Sequence, residues 1–125
     1  MANDFKIKYK TNVLSTGTGS VLYDAPISPL TGSGAVLSSI LLEVDIANTS
    51  TDNITADVFI DDSGSSLGLG GEGIIYIVKG APIPANGTLK VVNGQKIVVM
   101  EEQKLNVKVN AANAADCIVS ILEDA

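Results

Sequence analysis

Few residues in this chain are equipped for chemistry. Gly68-Leu69-Gly70-Gly71-Glu72-Gly73 has the glycine spacing of a nucleotide-binding turn. Such a turn needs a strand before it and a helix N-terminus after it, so that backbone N–H groups can point at a pyrophosphate. Here the β-branched run Ile74–Val78 follows, and no lysine stands at P-loop spacing. The stretch therefore reads as a surface loop. Asp57, Asp61 and Asp62, with Ser63 and Gly64, suggest a calcium loop, but the EF-hand spacing and its closing glutamate are missing. They read as solvated carboxylates. Glu101 and Glu102 are adjacent, and neighbours on a strand point to opposite faces, so they read as a turn and not as an acid/base pair. Cys117 alternates with Val119 and Ile121 and has no basic neighbour to lower its pKa, which makes it a core residue. The chain has no histidine, which removes the usual general base, the Ser-His-Asp triad and most zinc sites. No catalytic residue, metal or cofactor is expected, and the chain reads as a non-enzyme.

Phe5-Lys6-Ile7-Lys8-Tyr9-Lys10 offers a different chemistry, that of binding. Apolar and basic residues alternate strictly, the pattern of a half-exposed strand with Phe5, Ile7 and Tyr9 on one face and Lys6, Lys8 and Lys10 on the other. The lysines read either as a solvated, aggregation-blocking edge or as the surface that meets an acidic neighbouring subunit. Main-chain pairing of this strand with a neighbour's sheet edge is one route to assembly. Leu67 and Leu69, in the glycine-rich loop from Asp62 to Gly73, are the second candidate contact.

Composition narrows the classes further. The chain has 125 residues and a net charge of −6, with eight lysines and no arginine. An acidic surface argues against a nucleic-acid partner. No apolar run approaches the ~18 residues of a membrane span, and no secretory signal is visible, so no membrane partner is expected and folding is assigned to a reducing cytoplasm. Apolar residues make up 46% of the chain and charged ones 18%, which argues against disorder.

The elements that must position these residues are strands. Besides residues 5–10, extended candidates are Val21–Tyr23, Ser39–Asn48, Ile54–Asp61, Ile74–Val78, Thr88–Val92, Gln95–Met100, Lys104–Asn110 and Cys117–Glu123. Ile40, Leu42, Val44 and Ile46 are expected on one face of the third. That strand and Ile54–Asp61 are expected to pair around the polar loop 48–53. Ile74–Val78 is expected to be buried. Asn93-Gly94 is the strongest hairpin signal in the chain. The fold class is all-β: a single β-sandwich, jelly-roll or immunoglobulin-like, of about eight or nine short antiparallel strands. Residues 1–12 form an N-terminal strand or arm and residues 13–125 the sandwich, so that deleting the arm is expected to leave a folded domain.

Several segments together carry a resemblance. They are the opening Met-Ala-Asn-Asp-Phe-Lys, Ser39–Asn48, Tyr76–Pro84, Leu89–Val98 and the ending Val119–Asp124. In this order they resemble small virion structural proteins of tailed bacteriophages, cyanophages in particular. The resemblance implies a β-sandwich subunit of the virion, assembled in the host cytoplasm and present in many copies. Its partners would be the major capsid protein, for a decoration or cement subunit, or neck, collar and tail proteins. A homotrimer is compatible with it. Outside the resemblance, the alternative is a glycan- or receptor-binding module presenting Tyr23, Phe59 or Tyr76 beside Asp or Asn.

Overall fold

The computed structural model describes residues 3–17, 19–25, 38–62, 73–100 and 103–124. These residues form eight strands: β1 (Asn3–Lys10), β2 (Ser20–Asp24), β3 (Ser38–Asn48), β4 (Ile54–Asp61), β5 (Ile74–Ile83), β6 (Thr88–Met100), β7 (Lys104–Val109) and β8 (Ala115–Asp124). No helix occurs among the described residues. The strands make two four-stranded sheets, the first in the order β1-β8-β3-β6 and the second in the order β2-β7-β4-β5.

The pairing has a simple logic. β1 pairs with β8, β2 with β7, β3 with β6 and β4 with β5, all antiparallel. The first half of the chain is thus zipped to the second half in reverse order, as one long ribbon. Rolling the ribbon up adds the contacts β3–β8 and β4–β7 and closes the sandwich. This is the jelly-roll arrangement, so of the two sandwich types the sequence allowed, the jelly roll is the one formed.

Alternating side chains from both sheets fill the space between them. Val44, Ile46, Val92, Val119 and Ile121 from the first sheet meet Val58, Leu105 and Val107 from the second, all fully buried. Cys117 is a buried free thiol in this core, pushed up to about 12 by burial, which holds it protonated and inert.

Four features depart from the sequence expectation. Asn93-Gly94 is not a hairpin. Residues 88–100 run as a single strand because β3, at 11 residues, is long enough to pair with both halves. The register jumps from Leu41–Ile97 to Glu43–Asn93, and Lys96 takes φ +54°, so the extra residues form a bulge. The same irregularity shifts the phase of β3. Leu41, Val44 and Ile46 point inward, whereas Ile40 and Leu42 are only half buried and belong to the outer face.

β3 and β4 do not pair with each other; they belong to opposite sheets, and residues 49–53 cross between them. Each has an apolar face directed at the other, which suits packing across the core better than side-by-side pairing. Buried Asn48 organises the crossing. Its Nδ2 donates to the carbonyls of Asp52 (2.8 Å) and Ile83 (3.1 Å), and its Oδ1 accepts from the Ser50 N–H (2.9 Å) and hydroxyl (2.7 Å). Finally, β5 is not a buried strand. It is the edge of the second sheet, with Ile74, Ile75 and Tyr76 exposed, and it continues through Pro82 to Ile83. A proline fits there because an edge strand leaves some N–H groups unpaired.

Candidate functional site

The candidate contacts converge on the N-terminal strand. β1 pairs in register with β8 over its whole length, from Asn3–Asp124 to Lys10–Cys117. It is an edge strand of the first sheet. Residues directly opposite in an antiparallel pair share a face. Cys117, Val119 and Ile121 point into the core, so Lys10, Lys8 and Lys6 beside them take the core-side face, and Phe5, Ile7 and Tyr9 take the outer face with Leu122, Ser120 and Ile118. The segregation expected from the alternation is present, with the apolar side outward.

The lysines tolerate the core side because the edge leaves their stems room to reach water. Lys8 and Lys10 are exposed. Lys6 is not a free docking charge, since its Nζ lies 2.8 Å from Oε1 of Glu123 on β8. Tyr23, on β2 of the opposite sheet, donates its phenolic proton to Oε2 of Glu123 at 2.6 Å. The Ser39 hydroxyl lies 2.7 Å from the same phenol oxygen and, since the phenol's proton is taken, donates to it. Burial raises the Glu123 carboxyl, but Lys6 and Tyr23 outweigh it, and the carboxyl is held below the ordinary glutamate range. Four strands are tied together by this network.

On the outer face, the registers place Phe5 beside Leu122, Leu122 beside Ile40, and Ile40 beside Val98. This apolar row crosses all four strands of the sheet, about 14 Å at the usual interstrand spacing. Phe5 is 78% exposed, Val98 52%, and neighbouring Ile7 57%. The outer face of the second sheet is different. Its β4–β7 pairs are Asp57 with Lys108, Phe59 with Asn106, and Asp61 with Lys104. Charges of opposite sign flank Phe59, which is itself buried and lies 5.5 Å from the Tyr76 ring.

Further along the first sheet's outer face, the row Tyr9–Ile118–Asp45–Lys90 crosses the same four strands. A concavity of about 230 Å³ opens there, with Tyr9 and Thr11 on one side, Asp45 and Ala47 on the other, and Ile118 and Asp116 between them. Oδ1 of Asp45 is buried and has no hydrogen-bond partner. Burial pushes this carboxyl up to about 6; a hydrogen bond and repulsion from Glu43 add to the rise, and Lys90 opposes it.

The other candidate residues fall elsewhere. Leu67, Leu69, the glycine-rich motif except its last residue Gly73, and Glu101-Glu102 lie outside the described residues. Asp57 accepts the Gly80 N–H at 2.7 Å, and Asp62, expected to be solvated, is buried and accepts from Gln103 Nε2 at 3.0 Å. Among the described residues no three Asp, Glu or Cys side chains gather as a metal site. Tyr23 and Phe59 are buried, so neither can serve as a platform for a sugar; Tyr76 is exposed, with Lys79 Nζ 4.8 Å from its ring centroid. Ile40, Leu122, Ile118 and Val98 were missed as surface residues. Their alternation was visible, but which face they joined depended on the pairing.

No protein-family model, no curated protein and no solved structure matches this chain.

Proposed function

We propose that this chain is a non-enzymatic structural subunit of a phage virion, which stabilises the head as a decoration or cement protein by docking the outer face of its first sheet on other virion subunits. The observation that carries the docking role is the apolar row Phe5–Leu122–Ile40–Val98. A soluble sheet normally turns polar side chains outward. An apolar row spanning four strands, half-buried at Leu122 and Ile40 and exposed at its ends in Phe5 and Val98, costs solubility and becomes favourable when a partner covers it. The jelly roll itself is used by viral capsid proteins and by lectins alike, so the fold alone supports assembly only by analogy. The virion setting rests on the resemblance of the five segments above.

Quantitative mass spectrometry of purified phage particles tests this reading. The chain is expected in the numbers of a capsid lattice. Numbers matching one neck or tail ring would move it to that position. Its absence from particles would end the virion reading.

A further inference from the structure

We infer that the concavity between Tyr9 and Asp45 on the outer face of the first sheet receives an arginine side chain from a protein of a different sequence. The inference rests on the reading of this face as a docking surface and specifies the chemistry of what docks.

Three observations fit an arginine. The floor and one wall are apolar or aromatic: Ile118 lies at the bottom and the exposed Tyr9 ring at the side. A guanidinium stacks on such a ring, and its stem lies against apolar surface. The opposite wall holds the half-buried Asp45 carboxylate, which forms no ion pair with any described cation. Guanidinium supplies donors in a planar fork and is more weakly hydrated than ammonium, so it suits a half-desolvated carboxylate better than lysine does. The charge around the site is acidic as well. Glu43 stands beside Asp45 on the same face and Asp116 lines the groove, Oδ1 of Asp116 accepting the Asn12 N–H at 3.0 Å. Lys90 is the cation opposite Asp45 on the far side of β3, and Lys10 of β1 also lines the groove, although its side chain takes the other face of the strand; neither forms an ion pair with Asp45.

The occupant is not a second copy. This chain contains no arginine, and a copy presenting the same face would bring Glu43, Asp45 and Asp116 against themselves. A partner presenting an arginine among apolar residues would match both the groove and the neighbouring apolar row.

The probe is the blocked pentapeptide acetyl-Val-Thr-Arg-Thr-Val-amide, with citrulline replacing arginine as its neutral isostere. The ¹⁵N-labelled full chain is titrated at neutral pH with each, up to about 10 mM. Expected are amide shifts at Tyr9, Asp45, Ala47 and Ile118, with the citrulline peptide at least about tenfold weaker. Asp45→Asn should erase that preference, and Tyr9→Leu should weaken the arginine peptide while the protein's own melting stays unchanged. Equal binding of the two peptides, shifts confined to other faces, or no shifts at all would each overturn the arginine assignment. The docking reading fails separately, if charging the apolar row leaves incorporation into particles intact.

Discussion

The phenol of Tyr23 and the carboxylate of Glu123 meet at 2.6 Å across the two sheets of the sandwich, 100 residues apart in the chain. Glu123 lies on β8 and Tyr23 on β2, and Lys6 of β1 closes the same carboxylate from the other side at 2.8 Å. This contact makes β1 part of the folded domain. Removing residues 1–12 would strip the edge of β8 and leave the Glu123 carboxylate with the phenol as its remaining described side-chain donor. The docking role proposed for β1 is therefore better tested by substitution than by deletion.

Glu123→Gln should destabilise the fold by about 2 kcal/mol at neutral pH, since charge-assisted hydrogen bonds are worth more than neutral ones. Tyr23→Phe should cost about 1–2 kcal/mol, because the Glu123 carboxylate and the Ser39 hydroxyl then each lose a partner. Because the Glu123 pKa is lowered on folding, its contribution is present above the ordinary value of 4.5 and is lost as the pH falls through the lower folded-state value. Urea melts of wild type and Glu123→Gln should converge in acid. A constant gap down to strong acid would contradict the ion-pair assignment.

Asp45 works in the opposite direction. Its pKa is raised from 3.8 to about 6, so stability from its protonated form is complete below 3.8 and declines as the pH rises through about 6. Asp45→Asn should therefore stabilise the free protein at neutral pH by about 1 kcal/mol, a figure reduced from the full shift to allow for solvent screening. Below pH 3.8 the gain should vanish. Thermal melts at the two pH values measure both.

Gly19 precedes β2 with φ +74°, and an added Cβ would overlap the Val107 carbonyl oxygen and come within 2.8 Å of the Lys108 Cβ. Gly19→Ala should cost about 3 kcal/mol, from left-handed strain together with a backbone clash. Denaturant midpoints give the value. Gly17→Ala shares the positive φ but meets nothing within 4 Å, and should cost about 1 kcal/mol.

Much of the fold was legible in the alternation of single strands. The inward faces of β4, β7 and β8 and the core position of Cys117 follow from period two alone. The long-range pairing was not legible. Asn93-Gly94 has hairpin chemistry, yet β3 is long enough to hold both flanks in one strand, and the ladder outweighs the local turn preference. The phase of β3 changed at a bulge that no local residue pattern marks. For the candidate site, Phe5, Ile7 and Tyr9 were visible as a shared face. Their continuation into Leu122, Ile40 and Val98 depends on registers set across the whole chain. The triple lysine stripe is divided in the structure, because Lys6 neutralises Glu123, which lies 117 positions away.

The most direct measurement compares two charged substitutions on opposite faces. Val98→Asp places a carboxylate in the apolar row of the first sheet, and Thr55→Asp places one on the exposed outer face of the second. Both should melt within about 0.5 kcal/mol of wild type, since neither side chain is buried. Each variant is then supplied during particle assembly, and its copies per purified particle are counted by mass spectrometry. Thr55→Asp should incorporate like wild type, and Val98→Asp should fall at least about tenfold. Wild-type incorporation of a folded Val98→Asp chain would contradict docking through this face.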